Sequence, residues 1–418
     1  MNPDAGINQT TMTIIYLHQY FSLPSTAGGT RSYDLAKQFQ QQGHRVVFIT
    51  SSAFLKGMPL SGKWTVTQVE GLELHILQQE YSNKLSFFKR ILVFLQFLIA
   101  ASKRVLHIKG EVVIATSTPI TIAIPALVKR WWHKTPFIFE VRDVWPEVPI
   151  AMGVIKNKWI VKALNAFERM IYKRAAHIVA LSDDMKASIL KRTATPAEKI
   201  TVIPNISEVK RFEAFDPEKK MLTDLLGFRP QRSVLYAGTI GMVNGLRYML
   251  DLAVHTKSID PEIKYLIIGD GMEKDALLKY AADQQLLDQN VFFLPPVPKS
   301  SLPQLYHECT VASSFVIPVP ELWANSANKF FDSLAAGKPM LINYRGWQAT
   351  VLEQENAGIV LAEDVSCINT EARRFTGYIN NAALLSAQGL NATRLARANY
   401  ALNIATQKYL EVIKMSAS

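Results

Sequence analysis

Runs of strand-forming residues alternate with helix-forming runs from one end of the chain to the other, and no other feature restricts the fold as strongly. Alternation of this kind builds parallel sheets covered by helices, because each parallel strand needs a crossover to return to the same edge. In the first half, strands are expected at Ile14–Leu17, Val46–Thr50, Leu74–Leu77, Val112–Thr116, Phe137–Val141, Ile178–Leu181 and Thr201–Ile203. Helices are expected at Ser32–Gln41, stopped by Gly43, and at Trp159–Lys173. The periodicity weakens from Pro204 to Arg232, where Asp216-Pro217, Gly227 and Arg229-Pro230 act as breakers.

A second series then starts, with strands at Val234–Ala237, Tyr265–Ile268, Val291–Leu294 and Met340–Asn343. Its helices fall near Leu246–His255, Glu273–Asp283 and Asn328–Ala336, and a last helix is read from about Leu390 to Lys414. A chain of 418 residues, 49% of them apolar, can fill two cores. The expected architecture is therefore α/β with two Rossmann-like domains, 12–205 and 232–390, joined by a linker at 206–231. Residues 391–418 form a terminal helix that can pack back on the first domain.

The formal charge of +11 suits nucleic acid, an anionic membrane surface or phosphorylated substrates. No zinc-finger spacing or aromatic RNA-binding signature accompanies it, so nucleic acid is set aside. Cys309 and Cys367 have no metal-ligand spacing, which fits a reducing compartment. The polar opening lacks the order of a secretory signal, and the expected location is the cytoplasm. No run reaches the roughly 18 apolar residues of a spanning helix. The segment Lys84 to Arg104 instead sets Phe87, Phe88, Ile91, Leu92, Leu95 and Leu98 among Lys84, Lys89, Arg90, Lys103 and Arg104, without an acid. Together with Trp131 and Trp132, it can lie on the inner membrane surface. The commoner fate of such a run is to pack on a sheet.

Two strand-to-helix turns carry glycines. Gly28-Gly29-Thr30-Arg31 follows the first strand, and Gly238-Thr239-Ile240-Gly241 with Asn244-Gly245 follows the first strand of the second series. Exposed N–H groups at such turns suit a phosphate, although one pair alone is also an ordinary tight loop. In two facing sheets both turns would converge on one cleft. Asn328-Lys329-Phe330-Phe331-Asp332 opens a helix with Lys329 and Asp332 three apart on one face, able to meet a diphosphate and ribose hydroxyls respectively. An ordinary acidic helix start reads the same. Arg142 and Asp143 end a strand where side chains can enter the cleft, or they only tie a loop. His18 beside the first strand is read as structural.

At these segments, together with Glu140-Val141-Arg142-Asp143-Val144-Trp145-Pro146-Glu147, Ile203-Pro204-Asn205, Gly269-Asp270-Gly271 and Ala336-Gly337-Lys338-Pro339, the chain resembles glycosyltransferase family 4 over nearly its whole length. That family comprises retaining enzymes of the GT-B fold. Within it, the chain is similar to the branch of N-acetyl-fucosamine transferases of O-antigen and capsule synthesis. The resemblance implies an N-terminal acceptor domain and a C-terminal donor domain. It also implies a nucleotide diphosphate sugar as donor, UDP-linked and carrying an N-acetylated hexosamine or deoxyhexosamine. The implied acceptor is a polyprenyl-diphosphate-linked saccharide.

The resemblance gives Asp143 and Arg142 catalytic roles. It gives donor binding to Gly28, Gly29, Gly238, Thr239, Gly241, Asn244, Glu321, Asn325, Lys329, Phe330 and Asp332. Many members place an acid eight residues before the position of Asp332, and Ala324 stands there, so Glu321 or Asn325 is the candidate substitute. Met242 and Asn244 occupy positions where many relatives have Arg and Lys, which leaves more phosphate neutralisation to Lys329. No Asp-x-Asp pair occurs, so no metal and no cofactor is expected. A nucleotide-sugar 2-epimerase and a non-catalytic sugar-nucleotide binder are the competing readings of the same fold.

Overall fold

The computed structural model describes residues 11–26, 29–55, 57–79, 87–117 and 119–417. It contains two parallel sheets, each built where the apolar runs predict one. The first holds β1 (Thr13–Leu17), β2 (Arg45–Ser51), β3 (Trp64–Val69), β4 (Leu72–Leu77), β5 (Val112–Thr116), β6 (Phe137–Val141), β7 (His177–Ala180) and β8 (Ile200–Val202). Their order is β3-β4-β2-β1-β5-β6-β7-β8, with β3 alone antiparallel to its neighbour. The second holds β9 (Arg232–Ala237), β10 (Ile263–Ile268), β11 (Val291–Leu294), β12 (Val311–Ser314), β13 (Met340–Ile342) and β14 (Gly358–Val360). Its order is β11-β10-β9-β12-β13-β14, all parallel.

Both sheets are sandwiched between helices, which is why their central strands read as unbroken apolar runs. In β1, residues Ile14 to Leu17 are fully buried, with Ile15 and Leu17 in one cluster and Ile14 and Tyr16 in the cluster on the opposite face. The strand order reverses between β1 and β5 in one sheet and between β9 and β12 in the other. Crevices at the carboxyl ends of strands open at such reversals. The loops after β1, β6, β9 and β12 are the ones that carry the candidate residues.

The C-terminal region departs from the single helix expected between Leu390 and Lys414. Helix Ala382–Leu395 runs into a wide turn at Ala396–Tyr400, Ala401 takes an extended ψ of 149°, and a new helix spans Leu402–Ala417. Ala401 pairs with Ser207 as an isolated bridge, and the Ser207 N–H donates to the Tyr400 carbonyl at 2.9 Å. Backbone pairing to the linker thus outweighs continuation of the helix. The chain crosses between domains twice, side by side. The last helix packs on helix Arg31–Gln41, with Tyr409, Val412 and Ile413 buried in the first domain's core. The segment 206–231 itself contains two short helices, Val209–Glu213 and Met221–Leu226.

Candidate active site

At the carboxyl edge of the first sheet, Arg31 and Glu140 form an ion pair at 2.8 Å, with side chains 2% and 1% exposed. Two buried charges are tolerable only if their remaining hydrogen-bonding capacity is met. Thr116 Oγ1 donates to Glu140 at 2.6 Å, the Tyr409 hydroxyl lies 3.3 Å from it, and Arg31 also donates to the carbonyls of Ile203 and Pro204. Burial alone would raise Glu140, but Arg31 and Arg142 hold it below the ordinary carboxylate value. These two motif residues therefore knit β6, the glycine turn and the chain's exit from the first domain.

Arg142 lies just past β6, its N–H donating to Ser117 Oγ at 2.8 Å. Its guanidinium comes within 3.5 Å of His18 Nε2, and His18 Nδ1 is 2.7 Å from Ser32 Oγ. A guanidinium only donates, so His18 accepts at Nε2 and donates from Nδ1 to the serine. Burial, and then the Arg142 charge, keep His18 well below its ordinary pKa, hence neutral. His18 is structural in the sense that it orients Arg142. Asp143 follows as an exposed residue.

The residues expected at the donor gather around the end of β9. A Cβ on Gly29 would meet Asn328 Nδ2 at 2.9 Å and Arg142 Nη2 at 3.6 Å, so the first glycine turn abuts both Arg142 and the start of helix Asn328–Ala335. Gly28 lies outside the described residues. Lys329 Nζ sits 4.6 Å from the Tyr236 ring centroid. It runs across Gly238, where a Cβ would stand 2.8 Å from Lys329 Cε and where φ is +151°. Only glycine suits both the contact and the conformation. Gly269, at φ +154°, approaches the Gly238 carbonyl so closely that a Cβ would fall 1.9 Å from it, which locks the two turns of the second domain together. Thr239 is exposed, and Gly241 and Asn244 are half-buried, on the same loop.

Burial pushes Lys329 down to about 8, with Asp332 opposing. Burial pushes Asp332 up to about 6, with Lys299 opposing and Glu208 adding. The helix thus presents one weakly solvated cation and one weakly solvated acid from its first turn. Phe330 faces the other way, fully buried among Phe331, Trp347 and Tyr400, and supports the helix from the core. Asn325 is held by its own loop: its amide donates to the Leu322 carbonyl at 2.9 Å and its oxygen accepts from the Ala327 N–H at 3.1 Å. Glu321 sits half-buried in the turn Pro320–Leu322, which packs against the first-domain helix Glu147–Ala151. Ala324 is buried, and its carbonyl accepts from Ser182 Oγ of the first domain at 2.7 Å.

Two further contacts close the domains on each other. Asn205 donates to Asn328 Oδ1 at 2.9 Å, and Asp184 accepts from the Trp347 N–H at 2.7 Å. Sequence reasoning missed Lys299, Glu208 and Arg211, which meet beside Thr30 and Asp34. Gln19, in the segment Leu17-His18-Gln19-Tyr20-Phe21 that belongs to the family resemblance but carries no expected role, is a buried amide after β1 with neither end of its side chain hydrogen-bonded. Among the described residues, no group of three or more His, Cys, Asp or Glu side chains could hold a metal ion.

Residues 26–206 match the model of a glycosyl transferase 4-like domain, and residues 231–376 match that of the glycosyl transferases group 1. A probable glycosyltransferase of Pseudomonas aeruginosa, WbjE, is 24% identical over 269 residues, covering 62% of this chain and 64% of that protein. The chain thus aligns with a little under two thirds of that relative's length. Among solved structures, HepE of Anabaena in complex with UDP and glucose superposes with a TM-score of 0.71 at 16% identity, covering 96% of this chain and 99% of that one. WaaG, described as a glycosyltransferase involved in lipopolysaccharide biosynthesis, superposes with a TM-score of 0.67 at 16% identity, covering 96% and 99%.

Proposed function

We propose, from the premise that the chain belongs to the GT-B glycosyltransferases, that it moves a sugar from a nucleoside diphosphate donor to a saccharide acceptor with retention of configuration. The observation that carries this reading is the pairing of Lys329 and Asp332 on one helix turn, with Arg142 opposite beside Gly29. Lys329 meets the diphosphate, and Asp332 accepts hydrogen bonds from the ribose hydroxyls. Arg142, held by neutral His18, stabilises the charge that grows on the departing phosphate. Asp143 faces the acceptor. With Ala324 buried, the donor sugar is oriented by Glu321 and backbone groups of its turn rather than by an acid at that position.

The donor we favour is a UDP-linked N-acetylated hexosamine or deoxyhexosamine, and HepE, solved with UDP and glucose, supports a nucleotide sugar. The acceptor we favour is a polyprenyl-diphosphate-linked saccharide of surface polysaccharide synthesis, reached from the inner face of the plasma membrane. Helix Phe87–Leu106 supports that location through Leu92, Leu95 and Ile99, which are 57%, 49% and 60% exposed, and the neighbouring helix adds Trp131 and Trp132 at 78% and 65%. Lys84 and the side chains of residues 87–91 lie outside the described residues. No described helix is long and apolar enough to cross a membrane.

The test is incubation with a panel of labelled nucleotide sugars and a bacterial lipid extract. Label moving from one donor into the lipid fraction, with loss in Arg142→Ala, supports the reading. Donor epimerised or left intact in every pairing refutes it. Cations of the chain do the work of a metal, so transfer is expected to persist in chelator, and loss restored by magnesium would overturn that part.

A further inference from the structure

Lys299 is buried, 8% exposed, in the loop between β11 and helix Leu302–Glu308 of the donor domain. A buried ammonium needs partners, and neither of its partners belongs to its own domain. It donates to Thr30 Oγ1 of the first domain at 2.7 Å and pairs with Glu208 of the linker. Thr30 in turn donates to Asp34 at 2.6 Å, and Arg211 of the linker joins both acids, contacting Glu208 and lying 3.4 Å from Asp34. One cation therefore ties together helix Arg31–Gln41, the linker helix Val209–Glu213 and the donor domain.

We propose that Lys299 is a positioning residue that latches the two domains in the closed arrangement, setting the separation at which Arg142 meets the donor helix. Thr30, which it grips, directly follows Gly29, the residue that abuts both Arg142 and Asn328. The latch also touches the donor site electrostatically. Burial raises both Asp34 and Asp332 to about 6, and at each of them Lys299 is the strongest opposing charge. Without Lys299, Asp34 and Glu208 would share Arg211, Asp332 would keep only Arg211 and Lys329, and mutual repulsion would separate the elements that carry the three carboxylates.

The test compares wild type with Lys299→Met, Lys299→Arg and Lys299→Met/Glu208→Gln by small-angle scattering, by UDP calorimetry and, where transfer is measurable, by kinetics. Lys299→Met is expected to expand the particle and to lower the transfer rate by about tenfold or more. Its UDP affinity should weaken as well, because Asp332 loses its strongest opposing charge, so the scattering curve rather than the calorimetry reads the latch. Lys299→Arg keeps the charge and should stay compact, and the double variant, relieved of one acid, should recover part of the closure. Should Lys299→Met fail to fold, Glu208→Gln loosens the same latch from the linker side and is expected to expand the particle. A scattering curve for Lys299→Met, or for Glu208→Gln in its place, that overlays the wild type overturns the latch. The scattering readout does not depend on the glycosyl-transfer reading on which the kinetic arm rests, so failure of one is distinguishable from failure of the other.

Discussion

Replacing Lys329 by alanine removes the one side chain that reaches from the donor helix across Gly238 to the Tyr236 ring. In the free protein this ammonium is poorly solvated, with its pKa pushed down to about 8, so at pH 7 it is charged and under-neutralised. A diphosphate arriving at the glycine turn supplies the missing counter-charge. A charge-assisted hydrogen bond of this kind is worth roughly 1.5–3 kcal/mol, or roughly a 10- to 150-fold rise in Kd when it is lost. Gly238→Ala offers an independent route to the same end. Its Cβ would stand 2.8 Å from Lys329 Cε and 2.9 Å from Nζ, forcing the lysine tip out while leaving the charge in the protein. The alanine would also occupy φ +151°, which adds strain of about 1–3 kcal/mol to the fold. Calorimetry with UDP at pH 7 measures both variants against the wild type. Weakening in both places the diphosphate at the Lys329 tip. A Kd for Lys329→Ala within about twofold of wild type would refute the reasoning, since that is far below one charge-assisted bond.

Three further outcomes are expected. Nucleotide-sugar affinity should be bell-shaped in pH: it falls as pH drops through about 6, where Asp332 takes up a proton and loses acceptor capacity, and falls again as pH rises through about 8, where Lys329 loses its charge. Isothermal titration across pH 5–9 checks this for roughly unit steps around each pKa, and Asp332→Asn should abolish the acid limb alone. Glu140→Gln should lower unfolding stability by about 3 kcal/mol, the cost of leaving buried Arg31 without its counter-charge, as read from urea denaturation. Replacing Leu92, Leu95 and Ile99 by serine should release the protein from anionic vesicles without changing UDP affinity, whereas unaltered co-sedimentation would assign this helix to packing alone.

The central strands were legible because parallel strands covered on both faces leave unbroken apolar runs such as Ile14–Leu17 and Tyr265–Ile268. Three strands were not. β3 is a half-exposed antiparallel edge whose Thr and Gln dilute the pattern, and β14 is only three residues long. β12 reads Val-Ala-Ser-Ser, and its serines are tolerated in the core because Ser313 donates to the Leu235 carbonyl at 3.0 Å. The break at Ala401 was illegible for a different reason: its cause is Ser207, almost two hundred positions earlier in the chain. The same distinction runs through the site. Lys329 and Asp332 share one helix turn, so their spacing shows in the sequence, and Phe330 between them carries the core-facing side of that turn. Lys299, Glu208 and Thr30 come from three separated segments, and nothing local marks them as partners.

The return of the last helix to the first domain also bears on how the protein is made. Tyr409, Val412 and Ile413 seal the side of the first sheet that rests on helix Arg31–Gln41, so that domain's hydrophobic interior is completed only by residues that follow the whole second domain in the chain. While the second domain is being synthesised and can fold as a continuous unit, the first domain waits on the ribosome with one flank uncovered. A chain released short of Leu402 would carry a complete second domain beside an open, aggregation-prone partner.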